Sequence, residues 1–183
     1  MKIAVIGTHS TGKTTLIKRL VERLNALGHR VVILPEFARL CPFPINEDTT
    51  LAAQAWIQET QIREEGAVNH SDRILICDRS TLDNFAYFSR IAEHLEELEY
   101  LTPWEKKAAA HMRTYDAVFK TAKLDLSPED DHQRSLDADF RDDIDERIHG
   151  LLAKHGVNWH SLPATEDYDR HVDFILKKIR PQN

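Results

Sequence analysis

Short apolar runs alternate along this chain with longer segments in which apolar residues recur every three or four positions. The short runs predict strands at Lys2 to Ile6, Arg30 to Leu34, Arg73 to Cys77, Ala117 to Phe119 and Gly156 to His160. The helical spacing predicts segments near Lys13 to Leu27, Glu47 to Asn69, Leu82 to Leu98, Pro103 to Arg113, Asp137 to Leu151 and Tyr168 to Ile179. This alternation predicts an α/β fold with a parallel sheet covered on both faces, without giving the strand order.

The length and composition favour one globular domain over residues 1–183. Hydrophobic residues make up 42% and charged residues 30%, which is typical of a folded protein. The 24 basic and 30 acidic residues give a net charge of −6, which argues against a nucleic-acid partner. The first apolar run is too short for a signal peptide and no later run approaches a membrane span, so we expect a cytoplasmic protein without a membrane partner.

The segment Gly7 to Thr14, here called the phosphate loop, fits the pattern G-x-x-x-x-G-K-[ST] between a predicted strand and a predicted helix. Its glycines let the backbone N–H groups converge on an anion, and the helix adds the positive end of its dipole. We expect Lys13 to face solvent and bind the β- and γ-phosphates of ATP, and Thr14 to coordinate Mg²⁺. The predicted nucleotide-binding residues are Gly7, Thr8, His9, Ser10, Thr11, Gly12, Lys13, Thr14 and Thr15.

A carboxylate follows each of two predicted strands: Glu36 follows the second, and Asp78 follows the third with Arg79 next to it. In a doubly wound sheet the carboxyl ends of the strands open on the crevice where ligands bind. Asp78 is therefore expected to hold the same Mg²⁺ as the phosphate loop, and Arg79 to grip an anionic or hydroxylated substrate. The alternative is a turn in which Ser80 and Asp83 cap the next helix.

These motifs resemble those of the P-loop small-molecule kinases, in particular the AAA-type ATPase/kinase group. That group includes the nicotinamide riboside kinase domain of the bifunctional NAD-biosynthesis regulator, and its wider relatives are the deoxynucleoside and thymidylate kinases. The resemblance rests on the segments Gly7 to Thr15, Pro35 to Arg39, Cys77 to Asp83 and Arg134 to Arg141. It implies a three-layer P-loop NTPase fold whose five parallel strands have the order 2-3-1-4-5.

The resemblance also implies roles for the acceptor side of the site. Related deoxynucleoside kinases place a glutamate after the second strand, so Glu36 is the implied base for the proton of the substrate hydroxyl. Arg39 would hold Glu36 or the substrate, and the alternative is a surface salt bridge between the two. The implied catalytic residues are Lys13, Glu36, Asp78 and Arg134. The implied substrate residues are Glu36, Arg39, Gln58, Arg79 and Asp83.

Polar residues also line one face of the second predicted helix. Four of them share this face, at positions i, i+4, i+7 and i+11: Gln54, Gln58, Gln61 and Glu65. By resemblance to the deoxynucleoside kinases, an amide on this face would bind a base or carboxamide edge, and Gln58 is assigned to the substrate for that reason. A solvated helix face is the alternative interpretation.

Acidic residues are concentrated between Leu124 and Arg147, where ten acids and three bases leave a net charge of −7. The segment at about residues 122–141 resembles the lid of these kinases, in which Arg134 and Arg141 would supply positive charge to the transferring phosphoryl group. A solvated helix face is the alternative explanation for the acids. Pro163-Ala164-Thr165 occupies the place where related kinases wrap the adenine.

The combined interpretation is ATP- and Mg²⁺-dependent phosphoryl transfer to a nucleoside-like small molecule. Nicotinamide riboside is the leading acceptor, followed by a deoxynucleoside or a nucleoside monophosphate. The alternatives are a regulatory ATPase or GTPase switch that acts through a protein partner, and a nucleotide-binding module without turnover. The Asn-Lys-x-Asp run with which GTPases recognise guanine is absent from the sequence, which disfavours the switch.

Overall fold

Five parallel strands form one sheet in the computed structural model, which describes residues 1–45, 49–69, 71–122 and 138–179. The strands are β1 (Lys2–Ile6), β2 (Val31–Leu34), β3 (Ile74–Asp78), β4 (Ala117–Lys120) and β5 (His160–Ser161). Their order is β2-β3-β1-β4-β5, and all neighbouring pairs are parallel. The order implied by the family resemblance is therefore confirmed.

Helices cover both faces of this sheet. In the described ranges they are α1 (Lys13–Ala26), α2 (Leu51–Ala67), α3 (Thr81–His94), α4 (Leu101–Met112), α5 (Ala138–Lys154) and α6 (Tyr168–Ile179). Short 3-10 helices span Phe37–Leu40 and Leu98–Tyr100. The helices α1 and α6 pack on one face, and α2 to α5 pack on the other. No described helix is both long and apolar enough to cross a membrane.

The central strand β1 is buried from both sides. Ile3 and Val5 join the apolar cluster beneath α1 and α6, whereas Ala4 and Ile6 join the cluster beneath α3, α4 and α5. Successive side chains of a strand point to opposite faces, so burial of both faces requires a continuous apolar run. This core fixes the strand whose carboxyl end leads into the phosphate loop.

The start of α2 differs from its prediction. The helix begins at Leu51 rather than near Glu47, because the Thr50 hydroxyl accepts a hydrogen bond of 3.1 Å from the Ala53 N–H and caps the first turn. Residues 46–48 of the predicted extension lie outside the described ranges, and residues 49 and 50 precede the helix.

The fifth strand is shorter than predicted. Its predicted start at Gly156 belongs instead to the turn that ends α5, where the Val157 N–H donates to the Leu152 carbonyl at 3.0 Å. Only His160 and Ser161 pair with β4. Gly156 has a φ of 60°, in the left-handed region. This conformation is common for the glycine that follows a helix and does not occur within a regular strand.

The polar face of α2 is not solvated. Its four members, Gln54, Gln58, Gln61 and Glu65, are at most 7% exposed. Gln61 donates to Glu65 and, at 3.5 Å, to the carbonyl oxygen of Arg79. The solvated-face interpretation is therefore wrong. The spacing of polar residues along a helix does not reveal whether the polar side faces solvent or packs inward.

A buried ion pair links β1 to the end of α2. The Lys2 Nζ atom lies 2.5 Å from Glu65 Oε2, and neither side chain is more than 4% exposed. His111 and Tyr115 also contact the Glu65 carboxylate, at 2.7 and 2.6 Å. Burial by itself would raise the pKa of Glu65, but the hydrogen bonds from its neighbours, His111 first, outweigh burial and lower this pKa to about 2.

Replacing Glu65 with glutamine should lower the free energy of unfolding by about 3–5 kcal/mol, because Lys2 would keep a buried charge without its partner. The folded-state pKa lies below the ordinary value of 4.5, so Glu65 stabilises the native state above about pH 4.5 and this stabilisation disappears as the pH falls towards about 2. Urea unfolding should therefore show a smaller difference between the two proteins at pH 3 than at pH 7.

The control is Glu59→Gln on the same helix, which removes the exposed partner of Lys107. It should change the free energy of unfolding by less than about 0.5 kcal/mol. Equal losses from the two substitutions would contradict a special role for the buried pair.

Candidate active site

The phosphate loop has the backbone geometry of an anion cradle. Gly7, Ser10 and Gly12 have φ values of 133°, 56° and 75°, which turn the chain in ways that favour glycine. A Cβ atom on Gly7 would overlap the Thr121 hydroxyl oxygen, so no larger residue fits there. Within the described ranges no side chain caps α1, and its first turn holds no acidic residue, which leaves the N–H groups for an anion.

Lys13 folds back onto the loop, contrary to the expectation that it faces solvent. Its side chain is buried, and Nζ donates to the Thr8 carbonyl at 2.6 Å and lies 3.4 Å from Thr11 Oγ1. Burial lowers the pKa of Lys13 to about 7, and the charge of Arg79 adds to the effect while nearby carboxylates oppose it. A phosphate chain beside Nζ would favour the charged form of the lysine.

The two predicted Mg²⁺ ligands lie next to each other. The Thr14 hydroxyl donates to Asp78 Oδ2 at 3.0 Å, and Asp78 Oδ1 is buried without a hydrogen-bond partner among the described residues. Burial raises the pKa of Asp78, and the charge of Glu36 adds to the rise. A carboxylate and a hydroxyl are hard oxygen ligands, so this pair fits a Mg²⁺ ion whose other ligands are phosphate oxygens and water.

Glu36 is held by two arginines at the end of β2. Arg79 Nε and Nη2 both lie 2.7 Å from Glu36 Oε1, and Arg39 Nε lies 3.1 Å from Oε2. The salt bridge between Glu36 and Arg39 that the alternative predicted is therefore present, but Glu36 is only 7% exposed and is buried rather than at the surface. Arg79 itself is buried with a φ of 90°, a strained backbone that its many side-chain contacts keep in place.

Asp83 joins the start of α3 to the phosphate loop. Its Oδ1 accepts the Ser80 backbone N–H at 2.6 Å while the Ser80 hydroxyl accepts the Asp83 N–H at 3.4 Å. This is the capping pair that the sequence allowed as an alternative. Asp83 Oδ2 also accepts the Gly7 N–H at 3.3 Å. Both carboxylate oxygens are thus engaged by the protein, and contact of Asp83 with a substrate stays a prediction.

A cavity of about 60 Å³ lies between the phosphate loop, Glu36 and the helices α2, α3 and α5. It brings together four residues of the predicted site: His9, Glu36, Arg39 and Arg79. Gln58 does not line the cavity, although Gln54, one turn earlier on α2, does. Both amide atoms of Gln58 are buried without a hydrogen-bond partner in the described part of the chain.

Sequence reasoning missed the contribution of α3 to this cavity. Asn84, Tyr87, Arg90 and Ile91 line it at helical spacing. The Tyr87 hydroxyl accepts the His9 backbone N–H at 3.2 Å, and its ring lies 4.9 Å from the Arg79 guanidinium. The signal that could have found these residues is their position on the helix that starts directly after Asp78-Arg79.

The lid-like segment is described only in part. Residues 123–137, which include Arg134, lie outside the described ranges. The role predicted for Arg134 therefore stays a prediction. Phe140, in the first turn of α5, contacts the His9 ring with a centroid distance of 5.4 Å. Arg141 follows it and is 4% exposed, and its Nε has no hydrogen-bond partner among residues that the structure describes.

Comparisons with known proteins agree with this geometry. The sequence family described as an AAA domain matches residues 2–170. NadR proteins in complex with NAD and AMP-PNP and in complex with NR superpose with TM-scores of 0.73 and 0.72, each at 20% identity over 100% of this chain. The chain spans about half of those proteins, 51% and 52%.

A deoxyadenosine kinase from M. mycoides with products dCMP and a flexible dCDP bound has a TM-score of 0.63 at 16% identity, with 98% of both chains covered. No curated protein sequence matches the chain. These likenesses establish the P-loop NTPase fold that the family resemblance implied.

Proposed function

The chain belongs to the AAA domain family, and on that premise we propose that it transfers the terminal phosphoryl group of ATP to a hydroxyl of a nucleoside-like small molecule. The observation that carries the proposal is the buried Glu36 carboxylate, which lines a cavity that reaches His9 of the phosphate loop. A carboxylate in that place suits an acceptor hydroxyl, whereas a nucleotide switch needs no acceptor cavity.

In the proposed reaction, the acceptor oxygen bonds to the γ-phosphorus of ATP while the bond from that phosphorus to the ADP oxygen breaks. The hydroxyl proton passes to Glu36, whose orientation is fixed by Arg79 and Arg39. Lys13 and the N–H groups of the phosphate loop bind the phosphate oxygens. Mg²⁺, when held by Thr14 and Asp78, neutralises part of the phosphate charge.

The acceptor class follows from the walls of the cavity. Amide groups of Gln54 and Asn84 and the rings of Tyr87 and Phe140 suit a polar heterocycle with a flat face. Nicotinamide riboside is our leading acceptor, and a deoxynucleoside or a nucleoside monophosphate is second. The related NadR and deoxyadenosine kinase structures, solved with NR and with dCMP, support this ranking.

The size of the cavity implies a movement when the acceptor binds. About 60 Å³ is less than the roughly 300–1,000 Å³ typical of small-molecule pockets. A wall side chain must therefore move, and Phe140, whose ring contacts the His9 ring of the phosphate loop, is one of the wall residues beside that loop.

A substrate screen tests the proposal. The purified chain is incubated with ATP, Mg²⁺ and one acceptor at a time from a panel of nicotinamide riboside, deoxynucleosides and nucleoside monophosphates. We expect ADP release that depends on an acceptor, with the phosphorylated acceptor found by mass spectrometry. Strong release without any acceptor would support the regulatory NTPase instead, and binding of ATP without release would support a module without turnover.

Arg141→Ala should slow phosphoryl transfer about 10²–10³-fold with little change in ATP affinity, because the proposed role of this buried cation at the start of α5 is to act mainly on the charge of the transition state. Single-turnover rates and equilibrium ATP binding separate the two effects. Arg147→Ala is the control on the same helix, since Arg147 pairs with Asp143 and Glu93. If Arg134→Ala produces the loss and Arg141→Ala does not, the role belongs to Arg134.

A further inference from the structure

We propose that Tyr87 is a positioning residue for phosphoryl transfer, whose hydroxyl acts on the phosphate loop and whose ring acts on Glu36 through Arg79. The inference rests on the proposed function. Tyr87 lies near the middle of α3 and lines the cavity between the phosphate loop and Glu36. A side chain in that place contacts the donor side and the acceptor side of the proposed reaction at once.

The hydroxyl of Tyr87 contacts the phosphate loop directly. It accepts a hydrogen bond of 3.2 Å from the backbone N–H of His9 and lies 3.3 Å from Nδ1 of the same residue. Gly7 and Ser10, on either side of His9, have positive φ values, so the chain turns sharply around the residue that this bond holds. Loss of the hydroxyl therefore removes a restraint on the loop that would bind the phosphates.

The ring of Tyr87 lies beside the guanidinium group that holds Glu36. The Arg79 Cζ atom is 4.9 Å from the centroid of the ring, which is within the range of a cation–π interaction. The same guanidinium donates from Nε to the Glu36 carboxylate at 2.7 Å. Because Arg79 is buried, the tyrosine ring limits the positions that its guanidinium can take, and through it the orientation of the carboxylate.

Two further ring contacts keep the Tyr87 side chain in this orientation. The centroid of its ring lies 6.5 Å from that of His9 and 6.1 Å from that of Phe140, both in the range of attractive aromatic contacts. The phenol is rigid, so its hydroxyl and its ring move together. Tyr87 thereby relates the position of the phosphate loop to that of the Glu36 carboxylate, and transfer between two bound ligands depends on such alignment.

Two substitutions separate the hydroxyl from the ring. Tyr87→Phe removes only the hydroxyl and should weaken MgATP binding, measured by calorimetry without acceptor, about three- to tenfold, while kcat at saturating MgATP changes less than about threefold. Tyr87→Leu also removes the ring and should lower kcat about tenfold as well. Phenylalanine should therefore preserve kcat but not nucleotide affinity, a division that a general loss of packing would not produce.

Hydrogen exchange followed by NMR tests the acceptor side without turnover. The Nε–H of Arg79, which donates to Glu36, should exchange with water about tenfold faster in Tyr87→Leu and less than about twofold faster in Tyr87→Phe. The control is Phe88→Leu, which removes the next aromatic side chain of α3, a buried ring that packs against Phe85 and Trp104. It should alter neither MgATP affinity nor the exchange of Arg79.

Unchanged MgATP affinity in Tyr87→Phe would overturn the inference by itself, and this variant keeps the ring, so it should fold even if the leucine variant does not. Equal exchange rates of Arg79 in wild type and Tyr87→Leu would also overturn it. A wild type that binds MgATP without phosphorylating any acceptor would refute the proposed function. In that case the calorimetry and the exchange rates still decide whether Tyr87 holds the loop and the arginine.

Discussion

Replacing Lys13 with methionine is expected to reduce kcat by about 10²–10³-fold. The methionine retains the length of the side chain and removes the charge that would stabilise the β- and γ-phosphates. Because Lys13 is buried with a pKa of about 7, the neutral replacement should also be tolerated by the fold. Steady-state kinetics, together with thermal unfolding, checks both statements.

Lys18→Met, on the exposed side of α1, serves as the matched control and should leave kcat unchanged. A Lys13→Met protein that keeps activity within about tenfold of wild type, a barrier change of about 1.4 kcal/mol, would remove Lys13 from the catalytic set.

Glu36→Gln is expected to lower kcat by about 10²–10⁴-fold while ATP affinity changes little, because general-base loss acts on the acceptor side only. The amide keeps the size and one acceptor oxygen for Arg79, whereas its NH2 group replaces the oxygen that accepts from Arg39, so only the Arg79 contact is retained. Acceptor-dependent ADP release and equilibrium ATP binding measure the two quantities. Glu22→Gln, an exposed carboxylate of α1, is the matched control.

Asp78→Asn distinguishes the two carboxylates of the site. Since Asp78 contacts Thr14 rather than the cavity, its neutralisation should raise the Mg²⁺ concentration needed for half-maximal activity. If Asp78→Asn instead removes activity at saturating Mg²⁺ and Glu36→Gln is close to wild type, then the base is Asp78.

The parts of the site that the sequence predicted are those fixed by local chemistry or by sheet topology. The phosphate loop is a local feature of the sequence, since its two glycines and Lys13 all lie between positions 7 and 13. The contact between Thr14 and Asp78 joins residues 64 positions apart, yet it follows from the rule that parallel strands end at one edge. Motif and topology together therefore predicted that Thr14 and Asp78 lie next to each other.

The remaining features depend on how helices rotate when they pack, which no local pattern encodes. Tyr87 reaches His9 only because α3 turns that face towards the loop. The glutamines of α2 look solvent-facing in sequence but pack inward, and Lys13 is buried by its own loop. In each case tertiary packing determines whether the side chain is buried, and the polarity of the residue does not predict its exposure.

Gly7 of the phosphate loop is hydrogen-bonded to side chains through both its N–H and its carbonyl group. Asp83 accepts the Gly7 N–H at 3.3 Å, and Arg79, which also holds Glu36, donates to the Gly7 carbonyl at 3.3 Å. An acceptor bound to Glu36, as we propose, is therefore connected through the Arg79 guanidinium to the phosphate loop. Two ligands connected in this way are thermodynamically reciprocal: whatever factor the acceptor imposes on nucleotide affinity, the nucleotide imposes on the acceptor.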